Sequence, residues 1–124
     1  LELCFRTTLR TIHAAARARR FLSYGEVASA SGLTWNQARR RMDPHLFAIC
    51  RWSTDRGWPL LSALVVDKVS VAHGAMKGRP LIGFARAAER AGRIVGEDAA
   101  SFLAQEQQRV FDWAERTRDD ELHD

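Results

Sequence analysis

No apolar run in this sequence approaches the roughly 18 residues that a membrane span requires, and the longest, Pro59 to Val66, has only the length of a strand. Cysteine is scarce as well: Cys4 and Cys50 are the only two in 124 residues, and they lack CxxC spacing. Small secreted scaffolds usually carry several disulfides, so two isolated thiols predict reduced, buried side chains in a cytoplasmic protein. The four histidines, His13, His45, His73 and His123, form no HxxxH or HxH pattern, and neither a metal nor a cofactor is expected. A phosphate-cradling loop is missing, because Gly74-Ala75-Met76-Lys77-Gly78 departs from the GxxxxGK(S/T) form. No basic-then-apolar leader opens the chain, so no export and no membrane partner are expected.

Lysine is nearly absent too. Only Lys68 and Lys77 are lysines among 19 basic residues. Arginine supplies the rest, as in a GC-rich bacterial genome, and its planar fork matches phosphates and guanine edges. The net charge of +4 is unevenly placed: residues 1–56 hold ten Arg against four acids, and residues 112–124 hold six acids against two Arg. A hydrophobic share of 46% and a charged share of 27% are those of a globular protein, and 124 residues suffice for one core. A single domain over 1–118 is expected, with 119–124 as an acidic, fraying tail.

Periodicity and punctuation predict the elements. Phe5, Leu9, Ile12 and Ala16 stand at helical spacing within Leu3–Phe21. Ser23-Tyr24-Gly25-Glu26 is a capping box that opens a short helix ending at Ser31-Gly32, and Thr34-Trp35-Asn36-Gln37 is a second, opening a helix over 35–42. Asp43-Pro44 predicts a fresh start or a kink before a continuation to about Thr54. Pro59–Val66 and Pro80–Phe84 read as two strands joined by a basic loop, the β-hairpin wing of a winged helix. A short helix over 85–93 and a last one after Glu97-Asp98, with Phe102, Leu103, Val110, Phe111 and Trp113 on its apolar stripe, complete the chain. The predicted class is α+β, mainly helical: a winged helix-turn-helix with extra C-terminal helices.

Two capped helices around a Gly-containing turn are helix-turn-helix grammar, in which the second helix presents its first residues to base edges. Here those residues are Thr34, Asn36, Gln37, Arg39, Arg40 and Arg41, with Trp35, Ala38 and Met42 as the inward stripe. Asn and Gln suit adenine and Arg suits guanine. Lys68, Lys77 and Arg79 on the wing would hold phosphates. Duplex DNA is therefore the expected partner, in a non-catalytic regulatory role.

Tyr24-Gly25-Glu26-Val27-Ala28, the turn, the Arg-rich helix Gln37-Ala38-Arg39-Arg40-Arg41 and a closing Gly83-Phe84 together resemble the C-terminal domain of O6-alkylguanine-DNA alkyltransferases and alkyltransferase-like proteins. The resemblance covers Ser23 to Phe84 and implies a winged-helix fold whose Arg39 or Arg40 enters the minor groove of DNA, as in a damage sensor. The family's reactive Pro-Cys-His-Arg is missing, since the comparable strand reads Leu64-Val65-Val66-Asp67-Lys68. Cys50, inside a predicted helix, lacks the setting of an activated thiol.

Two rival readings stay open. An adaptor or inhibitor could use the same fold to bind a protein, and an enzyme could carry an unrecognised site. A homodimer through Phe111 and Trp113 is a further arrangement to test.

Overall fold

The computed structural model describes residues 2–123, so Asp124, counted in the acidic tail, lies outside the described residues. Phe5–Arg17 forms α1. Leu9, Ile12 and Ala16 are buried along one face, while Arg6, Arg10 and Arg17 stay exposed, as an amphipathic helix requires. Leu22–Ser23 is β1, and Tyr24–Ala30 is α2. The capping box of α2 forms as expected: Ser23 Oγ accepts from the Glu26 amide at 3.0 Å, and Glu26 Oε1 accepts from the Ser23 amide at 3.1 Å. Gly32, at φ 77°, supplies the left-handed residue that closes the turn.

Trp35–Asp55 is one continuous 21-residue helix, α3, with Pro44 inside it. The helix expected over 35–42 thus runs on through Asp43-Pro44, which starts no new helix. Proline removes one backbone bond, and burial on both sides of it compensates: Ala38 and Met42 before it, Ile49 and Cys50 after it. Each large apolar side chain so buried contributes about 1.5–3 kcal/mol. The Thr8 hydroxyl and His45 Nε2, 2.8 Å apart, tie α3 to α1 immediately after the proline.

The β-hairpin wing does not form. Of Pro59–Val66, only Val65–Val66 is a strand, β2, preceded by a 3-10 turn over Leu61–Leu64. It pairs with β1 in parallel, Leu22 opposite Val65, rather than with a following strand. Every residue from 59 to 66 is buried, so the run shows no alternation, and periodicity cannot tell such a run from other buried structure. Pro80–Phe84, the other expected strand, lies inside α4, Gly78–Arg90. Pro80 is tolerated there because amides in the first turn have no helical partner. Phe84 and Ala88 are buried one turn apart, the helical pattern that the reading as a strand conceals.

Ala99–Arg116 is α5, capped by Asp98, whose carboxylate accepts from the Ser101 amide at 3.0 Å. Leu103, Val110, Phe111 and Trp113 are buried, which removes the last two as a surface for dimerisation. The tail, expected to fray, forms a 3-10 turn over Asp119–Glu121, and Leu122 is 3% exposed. The protein is thus mainly helical, with five α-helices and a two-stranded parallel sheet among the described residues. None of its described helices is long and apolar enough to cross a membrane.

Two apolar clusters meet along α3. One joins α1, α2, α3 and α5 around Leu9, Ile12, Val27 and Ile49, and the other joins α3, α4 and α5 around Cys50, Phe84, Ala88 and Leu103. Between them runs the segment 57–77, mostly irregular apart from β2, and α5 side chains satisfy part of its backbone. Glu106 accepts from the Leu60 amide at 3.0 Å, and Gln107 Nε2 donates to the carbonyls of Ala63 at 3.0 Å and Gly74 at 2.9 Å.

On α4, Gly83 is exposed, and a Cβ added to it would meet nothing within 4 Å. Gly83→Ala should stabilise the protein by about 0.5–1 kcal/mol, the ordinary gain from replacing glycine within a helix. A higher urea midpoint with an unchanged slope is the expected result.

Candidate nucleic-acid interface

The start of α3 is held by its own capping box. Thr34 Oγ1 accepts from the Gln37 amide at 3.2 Å, and Gln37 Oε1 accepts from the Thr34 amide at 2.9 Å. These two expected base readers are thereby occupied at the helix start, and Gln37 would have to leave its cap to make a bidentate bond with adenine. Asn36, Arg39, Arg40 and Arg41 are all exposed.

Trp35 departs from the inward stripe assigned to it. Ala38 and Met42 are 0% and 2% exposed, but Trp35 is 43% exposed and stacks on Tyr24, ring centroids 6.2 Å apart and planes at 23°. Burial pushes the Tyr24 hydroxyl up to about 12, with the charges of Asp67 and Asp43 adding to the shift. The phenol therefore stays neutral and donates to Met76 Sδ at 3.6 Å.

Acids of the chain's C-terminal end pair with arginines of the N-terminal segment. Asp119 lies 4.0 Å from Arg10, and Glu115 pairs with Arg19 at 2.8 Å. Glu26 pairs with Arg20 at 3.5 Å, Asp55 with Arg51 at 3.6 Å, and Arg56 donates to the His123 carbonyl. Several arginines of residues 1–56 are thus held in exposed pairs, each worth about 0–1 kcal/mol, and Asp119 and Glu115 bring in acids from outside that stretch. Among the described residues, neither Arg39 nor Arg40 has a carboxylate within ion-pair distance.

The expected wing cations fall on no hairpin. Lys68 lies on a 3-10 turn over Lys68–Ser70, and Lys77 is the residue before α4. Arg79, in the first turn of α4, instead joins Arg39 along a groove of about 820 Å³ between α3 and α4. Arg86 and Arg90 line the same groove, and neither is among the residues expected from the sequence. Their spacing from Arg79, seven and eleven residues, places all three on one helical face, a signal that the reading of 80–84 as a strand hides.

No match emerges from comparison with protein-family models, curated proteins and solved structures. Cys50, also on the groove wall, is 1% exposed, its Sγ lies 2.8 Å from Ser62 Oγ, and burial pushes the thiol up. A neutral, buried thiol is a poor nucleophile. Cys4, expected to be buried, is exposed at the start of α1, and its thiol is held below the usual range mainly by a hydrogen bond with Thr7. Among the described residues, no three His, Cys, Asp or Glu side chains come together as a metal site.

Proposed function

We propose that this protein binds duplex DNA without catalysis, through the exposed face at the start of α3. The observation that carries the reading is the pair Arg39 and Arg40: exposed, without carboxylate partners, and set behind a capped turn that follows α2. Helix α1 packs against both α2 and α3, an arrangement that supports helix-turn-helix use of α3. Asn36 and Arg41 extend the same exposed surface, and Lys77 adds a cation ahead of α4. A regulator, or a sensor of the alkyltransferase-like kind entering the minor groove with Arg39 or Arg40, accords with this surface.

The test is an anisotropy titration of labelled random-sequence duplex across a salt series. Affinity should fall steeply as salt rises, because each phosphate that is bound releases counterions. Replacing Arg39, Arg40 and Arg41 together with Ala should weaken binding by about 10–100-fold, and should lower the salt slope by about one for each phosphate no longer held. Undiminished affinity, with helicity unchanged by circular dichroism, would remove this surface from consideration.

A further inference from the structure

We propose that the α3–α4 groove receives an acidic amphipathic helix of a partner protein, independently of whether α3 binds DNA. The groove, about 820 Å³, has an apolar floor that includes Met42, Leu46, Phe47, Met76 and Phe84. Arginines stand along its walls: Arg39 on α3, and Arg79, Arg86 and Arg90 on α4. One carboxylate, Asp43, shares that lining. Among the described residues none of the four arginines forms an ion pair, and Arg90 lies over the Phe47 ring at 4.2 Å.

Length and chemistry select the occupant. From Arg79 to Arg90 α4 rises about 16 Å, or three turns, so the cations are spread too far for one small anion. The opposite wall runs from Trp35 to Cys50, about four turns. Two helices flanking an apolar trough form the receptor of the helix-in-groove mode, which reads anchors at i, i+4 and i+7. Space is left at the middle of α4 by Gly83 and Ala87, and a Cβ on Gly83 would meet nothing within 4 Å. A DNA duplex can engage the arginines, but its scattered thymine methyls form no continuous apolar face to cover the trough. A helix with Leu and Phe on one face and Glu on its flanks satisfies both the floor and the rim.

The probe is a labelled synthetic helix with a Leu/Phe stripe and flanking Glu, beside a twin in which every Glu is Lys. Anisotropy should show the Glu peptide binding at least about tenfold more tightly than the Lys twin, a ratio that arginine-rim complementarity sets. Arg86→Glu combined with Arg90→Glu should abolish that preference. Gly83→Trp should block both peptides with circular dichroism unchanged; if it fails to fold, the double charge reversal decides the question. Absence of binding by the Glu peptide, equal affinity for the two peptides, or a Glu/Lys preference that survives the charge reversal would each overturn the proposal. So would duplex DNA binding that Gly83→Trp eliminates, since the groove would then belong to nucleic acid. Failure of the DNA reading is separately visible in the Arg39, Arg40 and Arg41 variant titrated with duplex, because the groove variants leave all three of those arginines in place.

Discussion

Replacing Arg93 with Met should lower the unfolding free energy by about 3–5 kcal/mol, the cost of stripping a buried charge of its partner. The partner is Glu106, 2% exposed in α5. Arg93 Nη1 and Nη2 donate to its two oxygens at 2.8 and 2.9 Å, Arg109 donates at 3.1 Å, and the Leu60 amide donates at 3.0 Å. These bonds join the chain just after α4, the body of α5 and the entry to segment 57–77. Without Arg93 the carboxylate stays buried with a weaker set of donors. Replacing both partners, Arg93→Met with Glu106→Leu, should cost less than the single change, because no charge is then stranded.

The same site makes stability depend on pH. Burial pushes the Glu106 carboxyl up, but the Arg93 hydrogen bonds, the Leu60 amide and the charges of Arg93 and Arg109 outweigh it and hold the group below the usual range. A folded value below the unfolded one means that the contribution is complete above the unfolded value. It is lost as pH falls through the folded value. Urea midpoints stepped downward through the carboxylate range should therefore fall more steeply for the wild-type protein than for Glu106→Gln. Parallel curves would remove this pair as the source of acid sensitivity.

Gly74→Ala should destabilise by about 2–5 kcal/mol, combining a left-handed backbone with an overpacked neighbour. Gly74 has φ 78°, and a Cβ there would lie under 3.0 Å from three carbons of the Phe21 ring. Phe21 packs against both apolar clusters, so it has little room to yield. The Gly74 carbonyl also accepts from Gln107 at 2.9 Å, and movement of the loop would strain that bond. Thermal unfolding of Gly74→Ala is the direct measurement, and a midpoint within about a degree of wild type would contradict the packing argument. Other positive-φ glycines, such as Gly32 and Gly57, have open space around them and should respond less.

The start of the site is legible in the sequence because its signals are local. Ser23 and Glu26, and Thr34 and Gln37, meet three residues apart, so each capping box can be read without knowing the rest of the fold. The exposed arginines of α3 follow from the same helix phase. Trp35 does not follow, because its stacking on Tyr24 depends on how α2 crosses α3. Arg86 and Arg90 escape notice for a different reason: a Gly- and Pro-containing apolar stretch reads as a strand, which erases the face they share with Arg79.

The capping boxes that start α2 and α3, the long apolar faces of α1 and α5 and the surplus of arginine all reside in neighbouring residues, and so the chain alone specifies them. Which arginines are neutralised is another matter. Asp119 reaches Arg10 and Glu115 reaches Arg19 across about a hundred residues of chain, and that pairing leaves Arg39 and Arg40 without acids. The parallel pairing of Val65–Val66 with Leu22–Ser23, in place of a hairpin, is likewise a choice made by the folded whole. A fully buried apolar segment carries no periodic mark of its partner, and only the side chains that close over it, Glu106 and Gln107 of α5, decide its path.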